Sequence, residues 1–104
     1  MTEHDVQNTI RSALSQYAIV FRVNVGSGKT ADGRFFTTGV PPGFSDLFGF
    51  RLSDGKIFFI EVKKPGGAVR PQQTHFIKLM RSYGAIAGVC YSTHDALKLI
   101  LEDK

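Results

Sequence analysis

The sequence contains a single cysteine, Cys90, and no tryptophan. One cysteine cannot form a disulfide within the chain, and no cysteine and histidine cluster has the spacing of a structural zinc site. No apolar run reaches the roughly 18 residues that a membrane-spanning helix needs. The polar residues 1–7 also lack the basic-then-apolar order of a secretory signal peptide. We therefore expect an intracellular, cytoplasmic protein with no membrane segment.

The residues that are present suit one compact domain. Of 104 residues, 42% are hydrophobic and nine are phenylalanine, which is enough for a core without disulfides or structural metal. We expect a single domain over residues 1–104. The net charge of +4, from 13 lysines and arginines against nine acids, suits a polyanionic partner without requiring one.

Hydrophobic periodicity predicts the element order α-β-β-β-α-β-α. Helical spacing indicates an N-terminal helix that begins near Thr2, a second helix that begins at Pro71, and a last helix that begins at Ser92 or Thr93. The apolar positions expected on these three helices are Val6, Ile10, Ala13, Leu14 and Tyr17, then Phe76, Ile77, Met80 and Tyr83, then Ala96, Leu97, Ile100 and Leu101. Strands are predicted over 19–25, 46–52, 56–62 and 86–91.

Residues 26–43 are rich in glycine, threonine and proline and predict a long loop, with a short extended piece from Phe35 to Thr38. Such a loop in a small domain is more often functional than idle. Gly28-Lys29-Thr30 resembles the end of a phosphate-binding P-loop, but Val23 stands where that motif needs glycine. We therefore expect no nucleotide cofactor.

The central feature is a predicted hairpin around Asp54-Gly55, a strong hairpin signal between two apolar runs. A two-residue turn there places Asp46 opposite Lys63, with Glu61 diagonal to Asp46 on the same face. A symmetric four-residue turn preserves the shared face, whereas an odd loop or a bulge does not.

Two acids and a lysine among apolar residues suggest a cation site. Mg²⁺ or Mn²⁺ prefers oxygen ligands, which Asp46, Glu61 and the Val62 backbone carbonyl could supply. A metal there would lower the pKa of a water molecule for attack on a phosphodiester, and Lys63 could orient that water or stabilise charge on phosphorus. An ordinary cross-strand ion pair between Asp46 and Lys63 is an equally good reading of the spacing alone.

A family resemblance favours the first reading. Gly43-Phe44-Ser45-Asp46, then Glu61-Val62-Lys63, then Gln73, resembles the VRR-NUC nucleases of the PD-(D/E)xK, or restriction-endonuclease-like, superfamily. Further matching features are Glu3 and Gln7 on the first helix, the Arg22-x-Asn24-x-Gly26 stretch and the Gly-Gly loop. Ser45 departs from the superfamily, which often has proline there.

The resemblance implies an α/β fold with an αβββαβ core, in which a mixed central sheet is flanked by helices. It implies that Asp46 and Glu61 are metal ligands, that Lys63 is the catalytic lysine, and that Glu3 holds a metal-bound water. Gln73 matches the family glutamine that positions Lys63 or the phosphate, although a one-residue alignment error would substitute Gln72.

The resemblance further implies an endonuclease that acts on branched DNA such as Holliday junctions, as a homodimer of the stand-alone phage or bacterial type. The alternatives are a catalytically silent nucleic-acid-binding module and a nuclease acting on flaps or nicks. For DNA contacts we expect Lys64 and Arg70 beside the catalytic strand. Lys29 and Arg34 in the long loop are either phosphate contacts or ordinary solvated charges.

Overall fold

The computed structural model describes residues 1–24, 27–37 and 39–102, with the side chains of 27–29 and 35–37 left undescribed. The elements in chain order are α1 (Glu3–Leu14), β1 (Ala18–Arg22), β2 (Ser27–Lys29), β3 (Phe35–Thr37), β4 (Leu47–Arg51), β5 (Ile57–Val62), α2 (Pro71–Ser82), β6 (Ile86–Cys90) and α3 (Thr93–Glu102). The long loop therefore carries a small hairpin, β2–β3, of which only the second strand was predicted.

Four strands form the central sheet in the order β1-β4-β5-β6. The β1–β4 and β4–β5 pairs are antiparallel, whereas β5 and β6 run parallel, joined by a crossover that contains α2. A parallel pair needs such a crossover, which explains why a helix separates these two strands in the sequence. The predicted αβββαβ core with a mixed sheet is confirmed.

Helices α1 and α3 cover one face of the sheet, which we call the first face. Val6, Ile10 and Leu14 of α1 and Ala96 and Ile100 of α3 are buried there. They pack against alternate residues of the strands, which include Leu47, Phe58, Ile60, Val62 and Ile86. Alternation along each strand sends the intervening residues to the opposite side.

Helix α2 packs on the opposite side, which we call the second face. Its Phe76 and Ile77 are buried against Phe59 of β5 and Ala87 of β6. Phe76 contacts the Phe59 ring edge to face, with a centroid distance of 5.3 Å. The second face also receives Glu61, because this residue lies two positions beyond Phe59 on β5.

The predicted two-residue turn at Asp54-Gly55 is wrong. Leu47 pairs with Ile60 and Phe50 with Ile57, and the Arg51 N–H donates to the Lys56 carbonyl at 2.9 Å. Four residues, 52–55, therefore join the strands. Continuing this register by one residue sets Asp46 opposite Glu61, and Lys63 becomes the diagonal neighbour.

Three predicted element ends also need correction. Helix α1 ends at Leu14, so Tyr17 is not part of its apolar face. Tyr83 lies at the C-cap of α2 with 82% of its surface exposed, and Leu101 of α3 is half exposed. Strand β1 ends at Arg22. Val25 and Thr38, which were predicted to be extended, lie outside the described residues.

Candidate active site

Asp46 and Glu61 meet at one end of the central sheet, where β4 begins and β5 ends. Asp46 is half-buried, and its Oδ2 accepts a hydrogen bond from the Val62 backbone N–H at 3.0 Å. This bond extends the β4–β5 pairing through a side chain and fixes the carboxylate beside β5. Glu61 is only 2% exposed.

The second carboxylate is oriented by α2. Gln73 Nε2 donates to Glu61 Oε1 at 2.7 Å, and Gln73 Oε1 accepts from the Arg70 backbone N–H at 2.9 Å. The helix N-terminus thus fixes the amide, and the amide fixes Glu61. The other carboxylate oxygen, Glu61 Oε2, is buried and has no hydrogen-bond partner among the described residues. The structure therefore places Gln73, and not Gln72, in contact with the carboxylate.

Lys63 lies beside Glu61 of β5 and Glu3 of α1. Its Nζ is 3.6 Å from Glu61 Oε1 and 3.9 Å from Glu3 Oε1, and the residue is 8% exposed. Gly67 packs against the Lys63 side chain, so that a Cβ there would lie 3.4 Å from Lys63 Cβ. The Gly-Gly loop therefore holds the aliphatic part of the lysine while its ammonium group faces the carboxylates.

Glu3 reaches the site because α1 begins there. Thr2 and Asp5 form a reciprocal capping box, with Asp5 N–H donating to Thr2 Oγ1 and Thr2 N–H to Asp5 Oδ2. This cap starts the helix at Glu3 and directs its side chain, 40% exposed, to Lys63. Glu3 is thus placed with the predicted site, but as a partner of Lys63.

Burial and mutual repulsion raise the pKa values of the two carboxyl groups, Asp46 and Glu61. Burial, followed by the negative charge of Asp46, raises the pKa of Glu61 to about 8, with Lys63 opposing the change. Burial also raises the pKa of Asp46, although the Val62 N–H works in the opposite direction. Two adjacent buried carboxylates are costly in the charged state unless a cation joins them. Without such a cation, burial and mutual repulsion favour a proton on the pair.

The donor set fits a hard divalent cation. Mg²⁺ is commonly bound through one or two carboxylates and keeps several waters. Glu61 Oε2, which accepts no hydrogen bond from the described residues, and the adjacent Asp46 carboxylate meet that requirement. Within the part of the chain that the structure describes, no group of three or more His, Cys, Asp or Glu side chains could hold a metal. Glu3 is accordingly not assembled as a third carboxylate ligand.

The site opens into a cavity of about 270 Å³. Besides the residues above it is lined by Pro42, Gly43, Phe44, Arg70 and Gln72. Gly43 has a φ of 90° and abuts α2 so closely that a Cβ would lie 2.4 Å from the Gln72 carbonyl oxygen. The sequence alone does not show this close approach, although the Pro42-Gly43 pair before Asp46 indicates a turn.

The residues predicted to contact DNA differ in how close they lie to the cavity. Arg70 lines the cavity, and Lys64 is exposed just beyond the end of β5. Arg34 is paired at 3.3 Å with Asp32 in the β2–β3 hairpin, and both side chains are largely exposed. It does not line the cavity. The Lys29 side chain, like those of Phe35 and Phe36, lies outside the described residues.

A larger groove, of about 590 Å³, follows β6 between α2 and α3. Two of its polar side chains form hydrogen bonds with the backbone at the free edge of β6. Arg81 Nε donates to the Ala87 carbonyl at 2.7 Å, and Asp95 Oδ2 accepts from the Tyr91 N–H at 2.9 Å. These bonds cap a sheet edge, so the smaller cavity is the one with the reactive groups.

Comparisons with known proteins agree with this geometry. The family model described as "VRR-NUC domain" matches residues 1–94. A solved structure titled "VRR_NUC domain" superposes with a TM-score of 0.68 at 23% identity, covering all of both chains, which supports the fold. No curated protein matches the chain. Among the described residues, no helix has the length and apolar character needed to cross a membrane. The chain belongs to the VRR-NUC family, and its domain is of the nuclease type.

Proposed function

We propose that the protein is a Mg²⁺- or Mn²⁺-dependent endonuclease that hydrolyses phosphodiester bonds in DNA, with branched DNA such as Holliday junctions as its substrate and a homodimer as its active form. The observation that carries the proposal is the Asp46–Glu61 carboxylate pair. Its Glu61 Oε2 is buried with no hydrogen-bond partner among the residues that the structure describes, and Lys63 Nζ lies 3.6 Å from Glu61 Oε1.

The cation would be held by Asp46, Glu61 and the Val62 backbone carbonyl, with Glu3 acting through water. Bound there, a divalent cation supplies a Lewis acid that neutralises phosphate charge and lowers the pKa of a water molecule. Because the Val62 N–H already points to Asp46, the carbonyl of the same strand residue is directed to that side as well.

Lys63 supplies the positive charge that the attacked phosphate needs. Its Nζ is fixed between Glu61 and Glu3, where it orients the attacking water and stabilises the additional negative charge of the pentavalent phosphorus. Gln73 keeps Glu61 in place, since a glutamate oxygen bonded to a fixed amide cannot rotate away. Arg70 and Lys64 contact the flanking phosphates.

A branched DNA substrate would explain why the active form is proposed to be a homodimer. A four-way junction has two equivalent strands, and one chain of this size carries one such carboxylate pair within its described residues. Two copies related by a dyad would cut symmetric strands.

The test is cleavage of a four-way junction, a flap and a linear duplex by the purified protein, with Mg²⁺, Mn²⁺ or EDTA, followed by mapping of the products. We expect metal-dependent paired nicks in the junction and loss of cutting in Asp46→Asn and Glu61→Gln. Asp54→Asn, which changes an acid in the distant β4–β5 turn, is the matched control and should cut normally. DNA binding without cutting under all metal conditions would show the silent module instead.

A further inference from the structure

The groove beside β6 is larger than the active-site cavity, and the proposed nuclease reaction does not use it. It has a volume of about 590 Å³ and lies between α2 and α3, along residues 88–91. A cavity of about 360 Å³ shares Arg81 and Leu99 with it and continues along residues 84–87. We call these two cavities together the β6 groove. It follows the whole strand, whose five residues span roughly 17 Å.

The backbone of Val89 presents a donor and an acceptor to this groove. The Lys63 N–H donates to the Cys90 carbonyl, so Cys90 directs its backbone groups toward β5. Successive residues of a strand direct these groups to alternate sides, and Val89 therefore directs its N–H and C=O away from β5. Because β6 is an outer strand, no other strand lies there. Neither group has a hydrogen-bond partner within the described part of the chain.

Side chains occupy the backbone groups on either side of Val89. Arg81 Nε donates to the Ala87 carbonyl at 2.7 Å, and Asp95 Oδ2 accepts from the Tyr91 N–H at 2.9 Å. Such side chains limit the pairing of a free strand edge with other strands. They leave a gap of one residue, and one residue can exchange two hydrogen bonds with a single residue of an antiparallel strand.

We propose that the β6 groove binds an extended segment of another protein, and that this segment carries acidic side chains. An extended backbone offers an N–H and a C=O from the same residue, as the gap at Val89 requires. Side chains of a bound segment alternate between the two faces of the sheet. They therefore contact the α2 wall and the α3 wall in turn.

The charged side chains of both walls favour an acidic segment. Arg81 of α2, Lys98 of α3 and Lys56 near the start of β5 line the groove, against the two acids Asp95 and Glu102. Asp95 is already bonded to a backbone N–H. Lys98 is exposed and forms no ion pair with any residue that the structure describes. A carboxylate of the segment beside Lys98 would complement that charge.

Two other occupants fit the groove less well. If two copies of this chain paired through β6 about a dyad at Val89, Arg81 would face Arg81 and Lys98 would face Lys98. Both chains also carry a net charge of +4, and opposed like charges are unfavourable. The DNA backbone offers acceptors to basic side chains, but it has no donor for the Val89 carbonyl.

The experiment follows the Val89 amide in nitrogen–proton correlation spectra of the full chain, without metal or DNA. The probe is a capped peptide of about seven residues, a common strand length, in which aspartate and valine alternate. One comparison peptide has lysine in place of aspartate, and another has N-methylated valines, which remove backbone donors. An oligothymidylate tests for nucleic acid. The variant is Lys98→Glu, and Arg11→Glu, which changes an exposed base on α1, is the matched control.

We expect the aspartate–valine peptide to shift the Val89 resonance and to slow exchange of its amide hydrogen. Lys98→Glu should raise the dissociation constant of this peptide by about 10-fold, whereas Arg11→Glu should change it by less than about 2-fold. Both comparison peptides should bind more weakly. An unshifted Val89 amide, equal binding of either comparison peptide, or tighter binding of oligothymidylate at Val89 would overturn the inference. The measurement contains no substrate, so its outcome is independent of the proposed function.

Discussion

Gln73 donates a 2.7 Å hydrogen bond from its amide nitrogen to Glu61 Oε1 and accepts one from the Arg70 backbone N–H. The glutamine thus joins the N-terminus of α2 to the carboxylate at the end of β5. Its contact is with the proposed metal ligand Glu61, and the resemblance implies a role in positioning Lys63 or the phosphate.

Gln73→Ala should lower kcat by about 10- to 100-fold, the usual effect of removing a group that orients a metal ligand. The KM for DNA should change little, because the amide faces Glu61. Steady-state cleavage at several Mn²⁺ concentrations tests this, with Gln72→Ala as the neighbouring control. Excess Mn²⁺ should recover part of the rate if the role is to orient the ligand. An equal loss in both variants would contradict the assignment.

Lys63→Ala should lower the single-turnover cleavage rate by about 10²- to 10⁴-fold, because a charge aimed at the phosphate is removed. Lys64→Ala removes an exposed charge from the next residue and should instead weaken DNA binding, more so at low salt. Rapid-quench cleavage and a binding titration at two salt concentrations separate these effects. A Lys63→Ala protein that cuts at the normal rate would remove the lysine from the mechanism.

The metal-free protein should lose stability as the pH rises from about 4.5 to about 8. Folding raises the pKa of Glu61 from its ordinary value of 4.5 to about 8, so over this range the folded state binds more protons than the unfolded state. The free energy of unfolding must then fall with rising pH. Urea unfolding in EDTA at several pH values measures the slope. Glu61→Gln should flatten it, and a slope unchanged by that substitution would show that another group is responsible.

Gly43→Ala should destabilise the protein and slow cleavage. The residue has a φ of 90°, and a Cβ would lie 2.4 Å from the Gln72 carbonyl oxygen, so the loop before Asp46 must move away from α2. Gly39→Ala is a matched control, because Gly39 has a similar φ of 86° but its Cβ would meet no described atom within 4 Å. Backbone strain alone should cost about 1 kcal/mol in either variant. Gly43→Ala should exceed Gly39→Ala by at least as much again in urea unfolding, and equal losses would contradict the close packing.

The sequence predicts the order of the core elements, and which side chains lie together at the cavity, better than it predicts the hairpin between them. Asp-Gly does mark the turn, since Gly55 has a φ of 74°. However, the Gly55 N–H donates to the Arg51 carbonyl, and Asp54 accepts from Arg51 Nε and the Lys56 N–H. These bonds lengthen the connection to four residues. The connection is two residues longer than predicted. Because two is an even number, Asp46, Glu61 and Lys63 still lie on the same face of the sheet.

Two other features could not be read from the sequence. The contact of Glu61 with Gln73 depends on how α2 docks on the sheet, and local spacing carries no information about that docking. The exposure of Phe21 and Phe50 was also unforeseen. Alternation of apolar and polar residues predicts that the apolar side of a strand is covered. Here both sides of β1 and β4 are largely apolar, but α2 covers the second face only over β5 and β6.

The central claim is that Asp46 and Glu61 together hold a divalent cation beside Lys63. A crystal soaked in Mn²⁺ tests it most directly, through an anomalous difference map. We expect one strong peak between the two carboxylates, bonded to Glu61 Oε2, which has no hydrogen-bond partner within the described part of the chain, and no peak in Asp46→Asn. A map without density there, from protein that still cuts DNA in Mn²⁺, would contradict it.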